Sequence, residues 1–511
     1  MALAAVDQGG GFQKTVVLAA GGARTIRDSR GATATPSVIF KQDDGTWLMG
    51  VAAQMMARVR PDRSVSDCKR RLGSSDIVGA GITAFDATVV MFADAKRRIE
   101  DQTHEAIDGA VLLKPATFTD EQTADLIRAA EAAGFPVLGV VSEPSAATLA
   151  VLDGRPMPSG IHRILTIDFG STTFDVAVVE YNGANIKVLA ADGVSPLGGA
   201  DLTAMVGDLV CKSAGGMSRK GFDLAALPAH QRHQFACDLE EAKLHLGSQS
   251  SVPVPVPLDG VMQAVLIDRA NYEAGARKLL QPGVECIART LAAAGVSVGQ
   301  LSLTVYTGSP MHSEFTRKFF DNSLGVVGTC APDPSLAGVM GGLLHAQRIV
   351  AESGAAGAEY LPPSSTLTDC TTQSIGVEVI RYEGGKRVPR CRVLVQKGAR
   401  IPFQDTIPFA PETPNQSMVS AVYLQGDANA LSQDCTVLGK VDLPITPEAV
   451  VRKRLELLVA VKHNSMVELT LRDTVSGEQR TVTLDPTAAN APNSGWSTGW
   501  SSSGPSARGD W

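Results

Sequence analysis

The chain has 511 residues, 44% hydrophobic and 19% charged, with a net charge of −7. That length accommodates roughly two to four domains with large cores. The acidic balance, without a basic patch or a basic amphipathic stretch, argues against direct nucleic-acid binding and against a membrane-surface role. No apolar run approaches the ~18 residues of a membrane span.

The start, MALAAVDQGGG, is apolar for six residues before Asp7 and has no basic leader. It reads as a first strand, not a signal peptide. Strand-like runs follow at 14–19, 110–114, 137–141, 163–168, 174–181, 186–191 and 302–306, with helical stretches between them. Thr119 to Gln122 has the capping-box spacing, and Gly134 stops that helix. Pro144 and Pro334 stand at first helical turns. Such alternation over residues 1–350 means α/β layers.

Residues 351–366, AESGAAGAEYLPPSST, read as a linker. From 367 to 485 short alternating strands are divided by turn residues, which predicts an all-β module, a sandwich. Residues 486–511 are low-complexity and read as disordered. The eight cysteines contain no CxxC, which points to reduced thiols in the cytoplasm. His230, His233 and Cys237 share a possible helix face, but with no fourth ligand nearby an ordinary helix surface is the reading.

One stretch occurs twice. In TIDFGSTTFDVAVVE an apolar run ends in Asp168, a turn of small residues follows, and Asp175 stands beside the next apolar run. AVDQGGGFQKTVVLA repeats that plan with Asp7 and three glycines. Self-similarity at this distance predicts two duplicated lobes. Small turn residues let a backbone approach a ligand, and successive N–H groups form an anion nest. Gly9, Gly10 and Gly11 on one side, with Gly170, Ser171 and Thr172 on the other, would then grip a polyphosphate. The flanking acids would hold Mg²⁺ through water. Two hairpins with solvated acids are the alternative.

These residues resemble the actin-like ATPase superfamily and, more closely, the 70-kDa heat-shock (DnaK-type) chaperone family. The resemblance rests on ILTIDFGSTTFDVAVVE, VLGVVSEPSAATLAVLDG, AVLLKPATFTDEQ, SDCKRRLGS, SPLGGADL, TVYTGSP and APDP, all in the family's order. In the β module QSIGVEV and LGKVDLPI are similar to strands of the family's peptide-binding sandwich. The resemblance implies a two-lobed actin-like ATPase domain, then a β-sandwich of the substrate-binding type. It implies ATP or ADP with Mg²⁺ as cofactors.

It also implies roles. Asp7, Asp168 and Asp175 would orient hydrated Mg²⁺. Lys69 would sit by the γ-phosphate, Glu143 would couple metal and water, and Thr173 would line the cradle. Gly198, Gly199, Gly308 and Ser309 would approach phosphates and sugar. Glu240 and Lys243 would border the nucleoside, with Asp333 nearby, and Pro115 would relay nucleotide state. Each has a plainer alternative: Lys69 on a solvated face, Glu143 as a helix-start acid, Gly308 as a turn.

The departures carry information as well. Gly10 and Gly11 stand where the family has threonines, and Ser171 and Thr172 where it has glycines. Leu244 and Met311 replace two arginines whose planes sandwich the base. Losing them is expected to weaken nucleotide binding by ~10- to 1000-fold, with the Met311 sulfur left to pack on the ring. The segment from Gly73 to Pro115 is shorter than the family's. The linker lacks the family's acidic, leucine-rich stretch. Gln373 and Ile375 stand at leucine positions. Only residues 486–511 follow the sandwich, too few for a helical lid.

Lidless family members are often ribosome-associated and partnered with a J-domain protein. The chain therefore reads as an ATP-binding chaperone that assists folding, with weak or slow Mg-dependent ATP hydrolysis. Unfolded polypeptide would bind weakly, and a J-domain co-chaperone, a nucleotide exchange factor or the ribosome would be partners. The alternative is a non-hydrolysing, nucleotide-bound scaffold. A sugar kinase fits the lobes but not the β module after them.

Overall fold

The computed structural model describes residues 2–153, 155–183, 185–218, 221–352, 366–368, 371, 374–396, 399, 401, 403–462, 467–483 and 507–508. The chain divides into two compact units, Met1–Thr117 with Leu126–Leu367, and Phe118–Asp125 with Thr368–Trp511. The assignment of Phe118–Asp125 to the second unit was not legible in composition. Residues 353–365 of the expected linker, Gln373, and residues 486–506 and 509–511 of the expected tail lie outside the described residues.

The first unit contains one sheet plan twice. Strands Val137–Ser142, Ile107–Lys114, Ala2–Gln8, Phe12–Ala19 and Gly22–Thr25 lie side by side in that order. In the second lobe Thr329–Cys330, Leu303–Thr307, His162–Phe169, Phe174–Tyr181 and Asn185–Val194 do the same. In each, the central strand is parallel to one neighbour and antiparallel to its hairpin partner. The central strands Ala2–Gln8, Ile107–Lys114, His162–Phe169 and Phe174–Tyr181 are mostly buried because the sheets are covered on both sides there. Ile164, Leu165, Ile167, Val176, Ala177 and Val178 are wholly buried.

The last strand of each lobe feeds a helix that packs against the other lobe's sheet. Helix Glu143–Leu152 touches strands of the second lobe, and helix Ala337–Glu352 those of the first. The first of these is almost entirely buried, as a helix apolar all round must be. The two helices cross at Gly341, where a Cβ would lie 1.7 Å from the Ala146 carbonyl oxygen. This close crossing joins the lobes behind their hairpins.

The expected caps are present. Thr119 N donates to Gln122 Oε1 at 3.1 Å, and Gln122 N to Thr119 Oγ1 at 3.2 Å. Gly134 takes the left-handed φ of 84°. His230, His233 and Cys237 lie on helix Ala229–Leu246, and no metal-holding group of His, Cys, Asp and Glu occurs among the described residues. The hairpin of Ser251–Leu258 with Val261–Asp268 was not foreseen. Its Pro253, Pro255 and Pro257 argue against a strand, yet a two-stranded ribbon has a free edge for residues without an N–H.

The second unit contains two antiparallel sheets. Lys386–Val395, Ile375–Glu383, Met418–Gln425 and Thr436–Pro444 form one. Gln479–Thr483, Val467–Asp473, Leu455–Val461 and Phe403–Pro411 form the other, with Ala507–Arg508 paired at its edge to Pro411 and Ala410. Ile375, Val377, Tyr423, Leu443, Leu457 and Leu469 share the core between them. This is the expected sandwich. Arg454 and Asp473 form a buried, doubly hydrogen-bonded ion pair at its edge.

Candidate functional site

The twin hairpins turn their tips toward each other. Asp7 faces Lys14 across the first, and Asp168 faces Asp175 across the second. A Cβ at Gly10 would lie 2.5 Å from Thr172 Cγ2 and 2.6 Å from its Oγ1. A Cβ at Gly11 would lie 2.4 Å from Ser171 Oγ. The glycines of one tip therefore make the room that the hydroxyl side chains of the other fill.

The contact is braced from both sides. Arg70, on the first lobe, donates from Nε to the Thr172 carbonyl at 3.0 Å and from Nη2 to Asp201 Oδ2 at 3.0 Å. Nη2 also reaches the Thr172 carbonyl. The first amides of helix Gly199–Met217 are directed at the second tip: Gly199 N donates to Gly170 O at 3.0 Å and Ala200 N to Ser171 O at 2.8 Å. Gly198 is needed because a Cβ there would sit 2.3 Å from the Ser171 carbonyl oxygen. Gly308 has φ 91° and no space for a Cβ, which would meet Phe169 O at 2.0 Å.

Beneath the first tip Lys69 is buried, not solvated. Its Nζ lies 2.6 Å from Glu143 Oε1 and 3.6 Å from Asp7 Oδ1. Burial opposes its charge, but Glu143 and Asp7 together hold the ammonium above its ordinary value. Glu143, Asp168 and Asp175 are all pushed up, first by burial. For Asp168 and Asp175 the charge of Glu143 adds to it, and Asp175 reaches about 7. Asp175 Oδ1 accepts from Ala116 N at 2.7 Å, which ties the buried Pro115–Ala116 segment to the site.

A cavity of about 590 Å³ opens between the lobes, within the usual ~300–1,000 Å³ of a small-molecule pocket. Of the residues singled out in the sequence, Asp7, Gly11, Glu143, Asp168, Gly170, Ser171, Gly199, Glu240, Lys243, Gly308 and Ser309 line it. The wall does not include Gly9, Gly10, Lys69, Thr172, Thr173, Asp175, Gly198 or Asp333. Gly10, Thr172 and Gly198 serve the contact between tips and its bracing, and Gly9 packs against the Phe12 carbonyl of its own turn. Thr173 closes the second turn, its carbonyl accepting from Gly170 N at 2.8 Å.

Asp333 stands just behind the wall, in the turn that leads into helix Ala337–Glu352. Its Oδ1 accepts from Ser335 N at 2.9 Å and Ser335 Oγ at 2.6 Å, while Pro334 and Ser335 face the cavity. Met311 is corrected: it is fully buried in the second lobe's core, whereas Leu244 is 67% exposed on the wall. Glu240 and Lys243 pair with each other at 2.7 Å, and Lys243 also donates to Gly199 O at 3.0 Å. Sequence reading did not single out Lys14, Tyr272 or His312, which line the wall as well.

No group of three acids able to bind an ion directly occurs among the described residues, so a cation here would be held through its water. Asp7 Oδ1 and Asp175 Oδ2 are buried carboxylate oxygens without a hydrogen bond, a costly condition unless a charge or water compensates. Magnesium, which keeps much of its hydration shell, is commonly held in that way. Asp7 and Asp168 would hold it at the wall, with Asp175 acting from below.

The chain matches the family model for the Hsp70 protein over residues 80–494. It is 27% identical over 495 residues to the chaperone protein DnaK of Cenarchaeum symbiosum (strain A), an alignment spanning 94% of this chain and 71% of that protein.

Proposed function

The chain belongs to the Hsp70 family, and from that premise we propose that its first unit binds ATP and ADP between the twin hairpins and hydrolyses ATP slowly. The observation that carries this reading is the pair of interlocked tips over the Lys69–Glu143 pair, at the wall of a nucleotide-sized cavity. A bound hydrated Mg²⁺ would supply charge neutralisation for the phosphates. Lys69, kept protonated by Glu143 and Asp7, stands behind the wall and adds its positive field to the site where negative charge grows during phosphoryl transfer. Glu143 orients Lys69 and, with it, an attacking water. Ser171 offers a hydroxyl to the phosphates from the second lobe.

Affinity is expected to be low. Leu244 puts an apolar side chain on the wall, and Met311 is withdrawn into the core, so neither guanidinium stacks on the base. This feature favours a second reading, a nucleotide-bound scaffold without turnover. In either reading the protein acts in the cytoplasm with a J-domain protein, a nucleotide exchange factor or the ribosome, and the sandwich holds unfolded polypeptide weakly.

Titration of the full chain with Mg-ATP and Mg-ADP, followed by single-turnover hydrolysis, tests the proposal. Saturable binding in the micromolar to millimolar range with slow turnover, lost in Lys69→Met, supports the ATPase. Saturable binding without turnover supports the scaffold. No saturation at high millimolar nucleotide removes both, and a nanomolar dissociation constant contradicts the expected loss of base stacking.

A further inference from the structure

The two hairpins share a backbone plan but not their charge. Beside the second tip the facing residues are both acids; at the matching place in the first, Asp7 faces Lys14. Directly opposed residues of an antiparallel pair project to the same face, and Asp7 and Lys14 both line the cavity. Lys14 Nζ stands 3.6 Å from Asp7 Oδ2, with side chains only 13% and 14% exposed. That distance is beyond hydrogen-bond length.

The ammonium of Lys14 makes no hydrogen bond among the described residues. The other lysine on the wall, Lys243, is committed to Gly199 O, Thr203 Oγ1 and Glu240. Lys69 is committed to Glu143 and does not line the cavity. An ammonium carries three donors and no acceptor. Enclosed at a ligand cavity with those donors unused, Lys14 calls for an acceptor from outside the protein. The cavity size and the hairpin tips beside it make that acceptor a phosphate oxygen.

We propose that Lys14 is a phosphate ligand contributed by the first hairpin. Its fixed charge takes over part of the neutralisation that a divalent cation otherwise supplies, so nucleotide binding persists when the cation is withdrawn. This rests on the nucleotide-binding reading above. On binding, Lys14 turns from Asp7 to the phosphates, which leaves Asp7 to its other neighbours. The ligand class is a nucleoside di- or triphosphate; a nucleoside without phosphate gains nothing from Lys14.

Calorimetric titration of the full chain with ADP, in Mg²⁺ and in EDTA, tests this, with adenosine as the phosphate-free probe. Unaltered protein is expected to lose no more than ~10-fold in ADP affinity on going to EDTA. Lys14→Met is expected to lose a further ~10- to 150-fold in EDTA, the effect of one charge-assisted hydrogen bond, with adenosine affinity unchanged. Lys14→Arg is expected to retain most of the ADP affinity. Equal ADP affinity for Lys14→Met and unaltered protein in EDTA overturns the proposal. So does a parallel loss of ADP and adenosine, which would mark a collapsed cavity. If the unaltered chain binds neither probe, the nucleotide reading itself fails, and this inference with it.

Discussion

At the tip of the first hairpin stand Gly9, Gly10 and Gly11, with Asp7 facing Lys14 behind them; at the tip of the second stand Gly170, Ser171, Thr172 and Thr173, with Asp168 facing Asp175. The backbone plan is shared, but the side chains are complementary. One hairpin supplies space and a positive charge. The other supplies hydroxyls and paired acids. Neither tip is explained alone: Gly10 is needed because of Thr172, and Gly11 because of Ser171.

The largest way to break this comparison is at Lys69, which lies under the first tip. Removing one partner of a buried ion pair costs ~3–5 kcal/mol. Lys69→Met is expected to lower unfolding free energy by about that much in urea titration, with part recovered by Glu143→Gln. Unchanged stability would mean that Lys69 and Glu143 do not meet. Next comes Gly10→Thr, which drives a side chain into Thr172. Overpacking of this kind costs ~1–3 kcal/mol, and Thr172→Gly in the same chain is expected to restore most of it. If the second substitution restores nothing, the tips do not touch.

The acids of the second hairpin give a pH signature. Asp175 moves from an ordinary 3.8 to about 7 through burial and then Glu143. A raised acid favours the neutral form in the fold, so its contribution to stability is full below 3.8 and lost as pH rises to about 7. In EDTA and without nucleotide, Tm is expected to fall across that window by roughly 2–6 °C. Asp175→Asn is expected to flatten the fall, and an identical pH profile for the variant would contradict the burial. The smallest effect lies away from the tips, at the base end of the cavity. Leu244→Arg restores one stacking cation, worth ~0.5–2 kcal/mol, and is expected to tighten ADP binding by ~2- to 30-fold. No gain would place the base elsewhere.

Much of the fold was legible because its signals are local. Asp7 and Asp168 each end an apolar run before small residues, and that repetition alone indicates duplicated lobes. The β module showed itself by alternation. What was not legible depends on partners distant in sequence. Lys14 in a strand looks like any solvated lysine until the hairpin register sets it against Asp7. Asp333 looks like a site acid, and the sequence does not show that its Oδ1 also accepts from Ser335 in the turn before a helix. Met311 stands at a site position of the family, yet its apolar side chain is drawn into the core beside Phe315 and Phe320. The prolines of 253–257 conceal a strand because only the ribbon's free edge tolerates them.

The central claim is that both tips close on one nucleotide. Amide hydrogen exchange of the full chain, with and without saturating Mg-ADP, tests it most directly, because exchange reports local opening segment by segment. Peptides covering Gly9–Gln13 and Gly170–Phe174 are both expected to slow on binding. Protection of only one tip, or of neither at saturation, would contradict the claim.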